Sequence, residues 1–122
     1  MLSTEHRQRL LDIANAGCSK GLVVEARAIY EGLLTLDPDM APANIGLALS
    51  HIVLNEFAEG EELLREKVLA ADPADHEARA MLGLCLTLAG QREAAEDVLE
   101  PLSREDGPRA ELATTLLEHA RQ

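Results

Sequence analysis

Four histidines and two cysteines are the side chains best suited to chemistry in this chain, and their spacing argues against it. His6, His51, His76 and His119 are dispersed. None lies three or four residues from another histidine or from Cys18 or Cys85, as metal ligands sharing a helix face would. HExxH, GxSxG and a phosphate-cradling glycine loop are all missing from the sequence. Asp75-His76 comes nearest to an acid–base pair, but neighbours at i and i+1 on a helix start point apart, and capping suits Asp75 better. The cysteines form no CxxC pair and fall in helical segments. They read as buried free thiols of a reducing compartment rather than as a disulfide. The expectation is a protein that is no enzyme, holds no metal and uses no cofactor.

The elements that carry these residues are helices. Of the 122 residues 47% are apolar, nearly all Leu, Ala, Val and Ile, with one Phe (Phe57), one Tyr (Tyr30) and no Trp. Ala and Leu favour helix, and the β-branched and aromatic types that favour strands are scarce. The net charge is −11, with acids spread along the chain, which repels phosphate backbones and anionic membrane surfaces. Nucleic acid is therefore not an expected partner. No apolar run approaches the 18 or so residues of a membrane span. The opening Met-Leu-Ser-Thr-Glu-His-Arg lacks a basic stretch followed by an apolar one, so a cytoplasmic location is expected.

The chain repeats itself. Asp37-Pro38, Asp72-Pro73 and Gly107-Pro108 recur at intervals of 35 and 35, and each marks a helix end, since proline cannot continue a helix. Small residues recur as well. Ala14, Ala48 and Gly83 are spaced 34 and 35, as are Ala26, Gly60 and Ala95, and Gly21, Asn55 and Gly90. Tyr30, Leu64 and Leu99 follow the same rule, which places one extra residue between Leu64 and Pro73. The apolar periodicity predicts helices at 4–18, 23–36, 40–54, 57–71, 75–89, 91–104 and 109–121, with a left-handed residue at Gly21, Asn55 and Gly90 between paired helices.

This pattern resembles the tetratricopeptide repeat (TPR), a helix-turn-helix of about 34 residues. The first repeat carries Leu10, Ile13-Ala14, Gly21, Ala26, Tyr30, Leu33 and Pro38. The second carries Asn44, Leu47-Ala48, Asn55, Gly60 and Leu64, and the third Arg79, Leu82-Gly83, Gly90, Ala95 and Leu99. The sequence departs from the family in lacking Trp and most aromatics, so Leu must supply the volume between repeats. The resemblance implies an all-α solenoid: one domain over 1–122, with repeats at about 7–40, 41–75 and 76–108 and a capping helix at 109–121. In the last helix Leu117 holds the Leu position, but Glu118 replaces the small residue, so the array is expected to stop there.

In that family, ligands contact one face of each first helix. Carried over, that face comprises Gln8, Leu11, Asp12, Asn15, Cys18 and Ser19, then Pro42, Ile45, Gly46, Leu49, Ile52 and Val53. The third repeat and the cap add Glu77, Ala80, Met81, Leu84, Thr87, Leu88, Leu112, Thr115, Leu116 and His119. The partner-binding residues implied are Leu11, Asn15, Cys18, Ile45, Leu49, Ile52, Ala80, Met81, Leu84 and Thr87. Heat-shock co-chaperones of the family grip a C-terminal carboxylate with Lys, Arg and Asn. Here only Asn15 matches, and Leu11, Glu77 and Met81 stand where basic residues would, so acidic peptide ends are not expected to bind. The rest is an apolar groove with acidic flanks, which suits an apolar or amphipathic segment of another protein. The opposing reading folds the last helix into the groove and makes these residues core. The acids Glu56, Glu59, Glu61, Glu62 and Glu66 read as a solvated outer face.

Small, acidic, free-standing TPR proteins with an apolar concave face are similar to the chaperones of bacterial type III secretion. That likeness implies a cytosolic holder of an apolar export partner. The alternatives are a scaffold in another bacterial assembly and a homodimer in which the groove or first helix meets its own copy.

Overall fold

The computed structural model describes residues 2–121. Seven helices make up the fold, and there is no strand among the described residues. They are α1 (Thr4–Ser19), α2 (Val23–Leu36), α3 (Ala41–Val53), α4 (Phe57–Leu63), α5 (His76–Leu88), α6 (Arg92–Ser103) and α7 (Pro108–Ala120). A π-helical turn, Leu64–Leu69, prolongs α4.

Local chemistry sets the boundaries. The Ser3 hydroxyl accepts from His6 N–H at 3.2 Å to start α1, and Asp75 accepts from Ala78 N–H at 3.0 Å to start α5. Pro42 and Pro108 occupy the first turns of α3 and α7, where no N–H is needed. Each hairpin turns on a left-handed residue: Gly21 (φ 87°), Asn55 (φ 62°) and Gly90 (φ 78°). Between hairpins the Asp-Pro pairs form a recurrent turn in which Asp37 accepts from Asp39 N–H at 3.2 Å and Asp72 from Ala74 N–H at 3.1 Å.

The helices stack as a solenoid. Each first helix packs on its own second helix (α1 on α2, α3 on α4, α5 on α6), and each second helix packs on the first helix of the next pair. The first helices α1, α3, α5 and α7 run in a row along one side. Small residues set the close approaches. A Cβ on Gly83 would lie 2.2 Å from Leu99 Cδ2, so the α5–α6 seam is built around that missing atom. Ala14 and Ala48 are wholly buried at the equivalent positions. Among the described residues α7 packs on α5 and α6 and on no other helix, with Leu117 buried and Glu118 exposed. It therefore extends the row and does not fold back across α1 and α3.

The repeat length has a structural answer. Tyr30 and Leu33 are buried in the first repeat, and Leu99 and Leu102 in the third, three residues apart in each case. In the second repeat the buried pair is Leu64 and Val68, four apart. The π turn holds the extra residue between them and returns Val68 to the core. The expectation of a single extra residue needs correction: Leu102 and Pro108 are six apart where Leu33 and Pro38 are five. That second insertion is taken up in the connection at Arg104–Gly107, which ends on Gly107 at φ 109°.

Candidate functional site

The facing sides of α1, α3 and α5 enclose a concavity of about 260 Å³. Leu11 and Ile45, each 4% exposed, form its floor, and the half-buried Leu49 and Met81 form its walls. Gln8, Asn15, Pro42 and Glu77 make the exposed rim, and no basic side chain lines it. A hollow of this size and apolar floor has room for a protruding apolar side chain.

Tyr30 supports this surface from behind. Its ring is wholly buried on α2 and lies against α3, where a Cβ on Gly46 would come 2.2 Å from its Cε1. Its hydroxyl donates to Asn15 Oδ1. Burial, with a smaller contribution from Cys18, pushes the phenol up to about 12, so it stays a neutral donor at physiological pH. With Oδ1 engaged, the Asn15 amide nitrogen keeps its donors for a ligand. Gln8 Nε2 donates to Asp12 Oδ1 at 2.9 Å, which leaves the Gln8 carbonyl to accept. The rim thus carries both a donor and an acceptor of the kind a peptide backbone needs.

Of the ten residues expected to bind a partner, the structure gathers Leu11, Asn15, Ile45, Leu49 and Met81 around this concavity. The other five lie elsewhere. Cys18 is fully buried in a cluster with Ala26 and Tyr30, Ile52 is 5% exposed against Gly60 of α4, and Ala80 is core. Leu84 and Thr87 lie further along α5, and Thr87 lines a separate hollow with Gly90 and His119. For Cys18 and Ile52 the cause is local: each tight turn lays the start of the second helix over the last turn of the first, so residues there are covered by their own hairpin. Gln8, Pro42, Gly46 and Glu77, from the same carried-over face, line the concavity as well. Tyr30 was not anticipated as a support, although it is the one tyrosine in the chain.

A second polar cluster ties the first two repeats together. Arg27 of α2 donates to Ser50 Oγ at 2.9 Å and Glu56 Oε1 at 2.8 Å, with His51 Nδ1 2.9 Å from the same carboxylate oxygen. Hydrogen bonds from Arg27 and His51 hold the Glu56 carboxyl below the usual carboxylate range. Glu56 is therefore a clip between the first two repeats, a correction to its reading as a solvated acid. Glu59, Glu62 and Glu66 are exposed. Both cysteines are free and buried. Burial raises the Cys18 thiol, and burial with the Glu61 charge pushes Cys85 up to about 11. Among the described residues no group of three or more His, Cys, Asp or Glu side chains is placed to hold a metal, and no helix is long and apolar enough to cross a membrane.

Residues 64–119 match the family model of the tetratricopeptide repeat, a span from the π turn through α7 and a little under half of the chain. The match supports a tetratricopeptide-repeat protein. No curated protein matches the chain.

Proposed function

We propose that this chain is a non-catalytic binding module that seats an apolar side chain of another polypeptide in the concavity of α1, α3 and α5. The concavity itself is the observation that carries the reading: an apolar floor of Leu11 and Ile45 inside a rim of amide groups and one carboxylate, Glu77. A groove of this kind draws affinity from burying an apolar anchor and takes register from the backbone contacts of Asn15 and Gln8. Glu77 and the surrounding negative charge select segments with a basic neighbour beside the anchor and reject carboxylate ends.

The finer reading is a cytosolic chaperone that holds an apolar segment of a secretion-system partner. Its support is the chain's small size, its acidity and the apolar floor of the site.

Selection from a library of displayed random peptides tests the reading. Sequences with Leu, Ile, Met or Phe beside Lys or Arg should be enriched. Leu49→Glu and Met81→Glu should abolish capture while circular dichroism stays helical, because an unpaired carboxylate in the apolar site costs several kcal/mol, more than a hundredfold in affinity. Glu59→Gln and Glu62→Gln on the outer face should retain capture. Capture that survives both groove substitutions would move the binding site to another face.

A further inference from the structure

Among the described residues, nothing covers the apolar face at the N-terminal end of the stack. Position 13 shows this most directly. Its repeat equivalents are Leu47, which packs on the core of the preceding repeat, and Leu82, which is 1% exposed, yet Ile13 is 54% exposed. Beside it Leu2, Leu10, Ala28, Ile29, Gly32 and Leu36 help line a second concavity of about 290 Å³ that contains no polar side chain. Val24, 79% exposed, and Leu36, 57% exposed, stand at either end of α2 on this face.

We propose that this face pairs with the same face of a second copy of the chain, α2 lying antiparallel on α2 about a two-fold axis. Charge selects the occupant. Residues 1–36 hold four basic and four acidic side chains and are neutral, while the remaining seven basic and eighteen acidic residues carry the whole −11. Two copies therefore repel each other less through this segment than through the rest of the chain. Shape agrees. Val24, Ala28, Gly32 and Leu36 follow one another at i+4 along a single ridge, reading large, small, small, large in either direction. An isologous contact requires such self-complementarity: Val24 meets Leu36 of the partner subunit, and the small pair lets the two helices approach. No packing contact among the described residues requires Gly32. It lies inside α2, where glycine is unfavourable against alanine, and nothing comes within 4 Å of where its Cβ would be.

Sedimentation equilibrium of the full chain over a range of concentrations tests the pairing. A monomer–dimer equilibrium is expected. Val24→Lys and Leu36→Lys, both at exposed positions and so compatible with folding, should each weaken it on the order of a hundredfold. Gly32→Ala should weaken it while raising the melting temperature of the dilute protein. Oxidising an equimolar mixture of Val24→Cys and Leu36→Cys chains should give the mixed disulfide dimer. Neither variant should cross-link to itself, because like positions sit twelve residues, about 18 Å, apart along the paired helices. A chain that stays monomeric, or a dimer indifferent to both lysines, overturns the proposal. So does a dimer dissolved by Leu49→Glu, which would place the second copy in the groove. Cross-linking of either cysteine variant to itself overturns the antiparallel arrangement.

Discussion

The two ends of the solenoid solve the same problem in opposite ways. A repeat cannot bury both of its faces alone, so the first and last members of a stack each present a face built for a neighbour. At the C-terminal end α7 supplies that neighbour: Ala110, Ala113 and Leu117 close over α5 and α6, and Glu118 turns to solvent. At the N-terminal end nothing within the described chain does so, and Ile13 stays open at a position that is fully buried in the third repeat. The difference shows that repeat phase determines which way a side chain points, whereas the presence of a neighbour determines whether it is buried.

The largest expected effect separates the ends by stability. Leu117→Ala should cost about 2–5 kcal/mol in chemical denaturation, the range for emptying a core leucine site. Ile13→Ala, measured in dilute protein, should stay within about 0.5 kcal/mol. Equal losses would mean that the two ends are capped alike. A second pair contrasts the glycines. Gly83→Ala drives a methyl group into Leu99 and should destabilise by about 1–3 kcal/mol. Gly32→Ala meets open space and should stabilise the dilute chain by about 0.4–1 kcal/mol through helix propensity. A loss at Gly32 would show that α2 is already covered from within the chain.

The smallest effect concerns how the open end is tied to the rest. Glu56, whose carboxyl is held low by Arg27 and His51, joins the first repeat to the second. A depressed folded pKa adds stability that is present above the ordinary glutamate value of about 4.3 and is lost as the pH falls through the folded value. Glu56→Gln should therefore lower the urea midpoint at neutral pH, with the gap to the parent closing on acidification. A gap independent of pH would assign the effect to packing.

Much of the fold was legible because its punctuation is chemical. Pro38, Pro73 and Pro108 with Gly21, Asn55 and Gly90 place the seven helices within about two residues of their observed limits, once the π turn is counted with α4. The π turn was legible as an extra residue between Leu64 and Pro73, though not as a π turn, since the core pair Leu64 and Val68 has to be seen buried to reveal where the residue went. Half of the expected site residues converge because successive first helices adjoin one another along the row. Cys18 and Ile52 do not join them, because a helical stripe carries no record of the hairpin that covers its end. The open N-terminal face escaped notice for a related reason. Ile13 and Leu82 are chemically alike, and only the stack distinguishes them.

The position of Tyr30 gives the molecule an optical property. With no tryptophan and one tyrosine, near-ultraviolet absorbance and emission beyond the phenylalanine region come from this ring. The ring is sealed from water, and its hydroxyl is bonded to a side chain on the rim of the concavity. Under the proposed function, a ligand that engages Asn15 would alter the hydrogen bond at the chromophore without touching the ring, and the spectrum of this single residue in the unlabelled protein would report occupancy of the groove.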